Sequence, residues 1–127
     1  MAVQLNHTIV HAHDAAASAR FLAAILGRPE PKPFSHFVVV QLDNDVSLDF
    51  LAVPEVRPQH YAFLVTESDF DAILGRIRER GLPYWADPFH RYAGQVNTND
   101  GGRGVYWEDP NGHNLEVITR PYGSGGA

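Results

Sequence analysis

Apolar and polar positions follow one pattern along this chain, and the chain uses it twice. Leu5–Val10 reads as a strand, and Asp14–Leu26 as a helix ending at Gly27, with Phe21, Leu22 and Ile25 on one stripe and Asp14 as cap. Phe37–Leu42 and Val46–Val53 read as a strand pair around Asp43-Asn44-Asp45, and Pro54 and Pro58 mark a joint. The order then recurs. His60–Val65 is a strand, Asp69–Arg80 a helix ending at Gly81, and Gly104–Glu108 and Asn114–Thr119 are strands around Asp109-Pro110-Asn111-Gly112. The second helix sets Phe70, Ile73, Leu74 and Ile77 on one face, with Ser68 expected as N-cap. Its other face carries Arg76, Arg78, Glu79 and Arg80, as a solvated helix face does.

The two halves can be laid on each other. His7 falls on His60 at an offset of 53, and Phe37–Phe50 falls on Gly104–Val117 at an offset of 67 without a gap. Leu48-Asp49-Phe50 then sits on Leu115-Glu116-Val117. The extra loop of the second half falls within Ala86–Arg103, a natural lid or pocket wall that holds His90 and Arg91.

Alternation divides each strand pair into two faces. Gly112, in the left-handed position of the second turn, sets a register that pairs Tyr106 with Glu116. Val105, Trp107, Leu115 and Val117 then share an apolar face suited to lie under the helix. Tyr106, Glu108, Asn114 and Glu116 share the other. The repeat predicts the same split for Val38, Val40, Leu48 and Phe50 against Val39, Gln41, Ser47 and Asp49. At the repeat position each half thus offers a carboxylate away from its helix, Asp49 or Glu116, and each has one histidine in its first strand. Two imidazoles with one or two carboxylates on a concave sheet suit a divalent ion such as Fe2+, Mn2+, Zn2+ or Ni2+. His113 reads as a turn residue, and Pro83, Tyr84 and Trp85 as packing after the second helix.

Composition narrows the classes. The 127 residues suit one compact domain or two small halves. Fifteen acids against ten bases give a net charge of −5, which opposes non-specific nucleic-acid binding and a polybasic membrane anchor. No apolar run is long enough to span a membrane, and the N-terminus lacks a signal-peptide pattern. The absence of cysteine excludes disulfides, thiolate metal sites and Cys nucleophiles, and fits a cytoplasmic protein. No nucleotide-binding glycine loop or nucleophile elbow is present.

Three stretches, Leu5-Asn6-His7, Gln59-His60-Tyr61-Ala62-Phe63 and the run from Gly104-Val105-Tyr106-Trp107-Glu108-Asp109-Pro110 to Glu116, resemble the vicinal oxygen chelate superfamily. That group contains glyoxalases, bleomycin-resistance proteins, fosfomycin-resistance transferases and extradiol dioxygenases. The resemblance runs from Leu5 to Thr119. It implies an α+β fold of two βαβββ modules (5–53 and 58–120), with mixed sheets forming a cupped cavity, in a single 1–127 domain. Residues 121–127 would be a flexible tail. It also implies a metal held by His7, His60 and Glu116, and a homodimer.

Asp49 stands where glyoxalase I-like members carry a glutamate, and reads as a fourth ligand, a partner of a ligand histidine or an exposed strand acid. Tyr106 matches the active-site tyrosine of extradiol dioxygenases. The histidine those enzymes carry six to eight residues before Val105 is replaced here by Asn97, Thr98 and Asn99. Arg103, just before the Gly104–Glu108 strand, reads as a surface arginine or as a partner for an anionic substrate. The expectation is a divalent-metal-dependent enzyme acting on a small oxygenated substrate that chelates the metal through vicinal oxygens. The alternative is a non-catalytic, bleomycin-resistance-like protein that sequesters its ligand.

Overall fold

The computed structural model describes residues 2–125, and the chain divides between Arg57 and Pro58 into two compact units. Residues 126 and 127, part of the expected tail, lie outside the described residues.

The first unit runs β1 (His7–Ala12), α1 (Ala15–Leu26), β2 (Lys32–Phe34), β3 (Phe37–Gln41) and β4 (Ser47–Ala52). Its sheet has the order β1-β4-β3-β2, with β1 parallel to β4 and the other pairs antiparallel. Asp14 caps α1 as expected, its side chain accepting the Ala17 N–H at 3.0 Å. Gly27 ends the helix at φ 73°, a conformation that glycine adopts without a Cβ penalty. Leu22 and Ile25 of α1 and Val10, Val40, Leu48 and Phe50 of the sheet are buried together. Each such side chain contributes about 1.5–3 kcal/mol of transfer free energy. Arg28 ties the helix end to the β3–β4 turn through the Gln41 carbonyl at 2.8 Å and Asp43 at 2.6 Å.

The second unit repeats the plan with β5 (His60–Leu64), α2 (Glu67–Glu79), β6 (Tyr84–Trp85), β7 (Gly104–Glu108) and β8 (Asn114–Ile118) in the order β5-β8-β7-β6. Its registers are those of the first unit. Val38 pairs Phe50 as Val105 pairs Val117, and Val39 pairs Asp49 as Tyr106 pairs Glu116. His7 pairs Ser47 as His60 pairs Asn114, and Lys32 pairs Val39 as Trp85 pairs Tyr106. The α+β architecture and the duplicated registers are as the sequence predicts. Val105, Trp107, Leu115 and Val117 are buried, as are Phe70, Ile73, Leu74 and Ile77 of α2.

Two local features differ from expectation, the α2 cap and the setting of His113. Thr66, not Ser68, caps α2, its hydroxyl accepting the Asp69 N–H at 3.1 Å. The earlier start brings Glu67 and Asp69 into the first turn, where the helix dipole favours acids. The strands β2 and β6 complete the expected βαβββ modules, although they are too short and too close to prolines to show an alternation. His113 lies not in an open turn but buried at 1% exposure, its Nδ1 accepting the Gln59 N–H at 2.9 Å and its ring meeting Tyr61 edge-on. Gly112 takes the left-handed conformation expected of it, at φ 84°. Among the described residues no helix is long and apolar enough to cross a membrane.

Candidate functional site

The chemistry gathers on the face of the second sheet that carries His60, Tyr106, Asn114 and Glu116. In a parallel pair, residues two apart on one strand share a face, so His60 on β5 and Glu116 on β8 emerge on the same side. His60 Nε2 stands 3.0 Å from Glu116 Oε1, with the carboxylate 1% exposed and the imidazole partly open. The other ring nitrogen, Nδ1, lies 2.9 Å from the Asn114 main-chain carbonyl. A carbonyl only accepts, so Nδ1 carries a proton and Nε2 is the nitrogen offered to the face. Nε2 and Oε1 both present lone pairs unless a proton or a cation lies between them. This donor set, an oriented imidazole and a buried carboxylate, fits a divalent cation.

Tyrosines surround the pair. The Tyr106 ring stacks on His60 with centroids 5.8 Å apart and planes 27° apart. The Tyr122 hydroxyl donates to Glu116, 2.7 Å from Oε1 and 2.9 Å from Oε2, and lies 3.1 Å from the Tyr106 hydroxyl. Tyr122 gives its proton to the carboxylate, so the Tyr106 proton is directed to the Tyr122 oxygen. Burial, followed by the bonds to Tyr122 and Glu116, pushes the Tyr106 hydroxyl far above the ordinary phenol range. Burial also pushes Tyr122 up; its bond with Tyr106 works the other way, and Glu116 pushes it up again. Both therefore remain neutral donors through the physiological range.

A shallow hollow beside Glu116 is lined by Asn97, Asp100, Arg103, Arg120 and Tyr122 among others. Arg103 is engaged at its rim. Its Nε lies 2.8 Å from Glu67, its Nη1 2.8 Å from Asp71, and its guanidinium 4.4 Å over the Phe70 ring. This arginine, open from sequence to a surface role or a substrate role, thus fastens the start of α2 to the start of β7.

The long loop is an ordered wall. His90 lies flat on Trp85, centroids 3.7 Å apart, with Nε2 3.0 Å from the Asn114 side-chain oxygen and Nδ1 3.5 Å from Glu108. Asn114 also donates to the Pro88 carbonyl at 3.2 Å. Asp87 accepts the N–H groups of Arg91 at 2.8 Å and Tyr92 at 2.9 Å.

In the first unit, His7 is exposed on β1, its Nδ1 2.8 Å from the Asn6 side chain. Asp49 is half-buried on β4, accepting from the Ser47 hydroxyl at 2.8 Å. Among the described residues no three His, Asp or Glu side chains gather around one point. The structure brings His60, Glu116 and Tyr106 together, and leaves His7 and Asp49 on the other unit. The residues that sequence reasoning passed over are Tyr122 and Asn114. Asn114 was legible only as a face residue. Tyr122 carried no signal, because it follows the last strand in a glycine-rich stretch without periodicity.

Two sheets of one strand order, each carrying a first-strand histidine and a carboxylate at the repeat position, define the class. The model of the Glyoxalase/Bleomycin resistance protein/Dioxygenase superfamily matches residues 4–117, and the chain belongs to that superfamily. The solved structure of oxidase ChaP-H1 is 72% identical, covers 96% of this chain and 99% of its own, and superposes with a TM-score of 0.94. The glutathione transferase FosA of Serratia marcescens is 31% identical over 78 residues, 61% of this chain and 48% of that protein. The metallothiol transferase FosB of Shouchella clausii (strain KSM-K16) is 42% identical over 60 residues, 47% of this chain and 37% of that protein. The chain matches half or less of the length of these two curated relatives.

Proposed function

We propose that this protein is a divalent-metal-dependent oxidase acting on a small substrate that presents adjacent oxygens. The observation that carries the reading is the contact between His60 and Glu116, in which Asn114 turns the imidazole so that Nε2 meets a buried carboxylate. The high identity with an oxidase over nearly the whole chain supports the oxidative chemistry. His60 and Glu116 would hold the ion with His7 as third ligand, in a homodimer. Asp49 would supply the carboxylate at the repeat position, as a further ligand or as a partner of a ligand histidine. A bound divalent ion would polarise the substrate oxygens and stabilise negative charge developing on them.

The chain's own residues supply the rest. Tyr106, held neutral, donates a hydrogen bond to a substrate oxygen and covers one face of His60. The wall built on Trp85 and His90 limits water access from its side. Arg103 supports the site by fixing the start of β7.

Oxygen uptake tests the reading. Wild-type protein loaded with Fe2+ or Mn2+ is expected to consume oxygen with members of a panel of catechols and hydroxyquinones, and Glu116→Gln is expected not to. Tight binding of a panel member with no uptake in any metal form would contradict the oxidase reading and favour sequestration.

A further inference from the structure

The Tyr122 hydroxyl spans both oxygens of Glu116, at 2.7 and 2.9 Å, on a carboxylate that is otherwise contacted by His60. A donor placed across both oxygens takes up lone pairs that a cation held by Glu116 would need. The segment that delivers it is lightly held. Gly123 and Gly125 donate to Asp100 at 3.3 and 3.4 Å, long bonds, and Ser124 N–H closes a turn on the Pro121 carbonyl at 3.1 Å. Tyr122 as a whole is 61% exposed, although its hydroxyl meets a buried carboxylate. A buried carboxylate without a partner is costly, and this phenol satisfies it.

We infer that Tyr122 is a displaceable cap on Glu116: its hydroxyl holds the carboxylate in the metal-free protein and must leave for a cation to enter. This inference rests on the metal reading of His60 and Glu116. Cap and cation compete for the same lone pairs, so cation binding opposes a hydrogen bond to a charged group. The segment around Tyr122 then swings away from Glu116 as the ion enters, and the hollow beside Asp100 and Arg120 opens.

The test is titration of the full chain with Mn2+, followed by the loss of the free-ion magnetic resonance signal. Tyr122→Phe removes the competing hydroxyl, and with it the acceptor of the Tyr106 proton, and is expected to bind Mn2+ about tenfold more tightly than wild type. Asp100→Ala loosens the segment and is expected to shift affinity in the same direction by a smaller factor. Brief chymotrypsin treatment of wild-type protein is expected to cut after Tyr122 faster with Mn2+ than without it. Unchanged or weaker Mn2+ binding by Tyr122→Phe, with Glu116→Gln still abolishing binding, would overturn the cap and leave the metal reading intact. Equal Mn2+ binding by wild type and Glu116→Gln, or none by any form, would overturn both.

Discussion

Tyr106 faces Glu116 across β7 and β8 at the position where Val39 faces Asp49 across β3 and β4. One frame therefore carries two chemistries. In the second unit the pair is a phenol and a glutamate buried beside an imidazole. In the first it is an aliphatic side chain and an aspartate satisfied by its own strand neighbour, Ser47. The longer glutamate side chain in the second unit meets the first-strand histidine directly. The duplicated backbone supplies equivalent positions, and the side chains make only one of them a histidine–carboxylate pair.

The neutrality of Tyr106 has a kinetic consequence. Tyr106→Phe keeps the stacked ring and removes the donor. Metal affinity is expected to stay within about threefold, while kcat/KM falls by about 10–100-fold, the loss of one hydrogen bond to a charged group. Because burial and its neighbours hold the hydroxyl up, no phenol ionisation at Tyr106 contributes to the pH profile near neutrality. In an alkaline absorbance titration Tyr106, Tyr122 and Tyr61 are expected to ionise above the ordinary phenol range. A phenolate assigned to Tyr106 below pH ~10 would contradict this role.

Asn114 stands between the wall and the His60–Glu116 pair. Its main-chain carbonyl orients His60, and its side chain holds His90 and Pro88. Asn114→Ala removes only the side-chain bonds. Faster hydrogen exchange over residues 86–97 is expected, with metal affinity close to wild type. A large loss of metal affinity in this variant would show that the side chain, not the carbonyl, orients the site.

Glu67 gives a pH dependence of stability. Hydrogen bonds from Thr119 and then Arg103 hold its carboxyl below the ordinary glutamate range. The unfolded chain therefore binds a proton more readily than the folded one at mildly acidic pH. The stabilisation is complete above the ordinary glutamate range and disappears as pH falls through the lowered value. Glu67→Gln is expected to lower the urea midpoint at pH 7 and to approach wild type at pH ~3. An equal difference at both values would contradict the assignment.

Core packing offers a check that is independent of the site. Phe50 is 2% exposed on β4 at the repeat position of Val117. Phe50→Ala is expected to cost about 3–5 kcal/mol in chemical denaturation. A cost below ~1 kcal/mol would mean that this face does not form the core described.

Much of this was legible because alternation and repetition are global signals. The register of Tyr106 on Glu116 followed from Gly112 and strand parity, and the register of Val39 on Asp49 followed from the repeat. The helix stop at Gly27 followed from the left-handed conformation it supplies. What escaped depends on short or aperiodic contacts. The α2 cap shifted from Ser68 to Thr66 because both residue types cap well, and only the backbone path chooses between them. Arg103 could be placed near the site from sequence, but its pairing with Glu67 and Asp71 depends on the approach of a helix to a strand. Tyr122 reaches Glu116 through a chain reversal that no periodicity announces.

The most direct measurement is equilibrium dialysis of the purified protein against Mn2+ and Zn2+, with elemental analysis of wild type, His7→Ala, His60→Ala and Glu116→Gln. The account predicts about one ion per chain in the wild type and its loss in each variant, with native circular dichroism throughout. Wild-type levels of bound ion in His60→Ala and Glu116→Gln would contradict it.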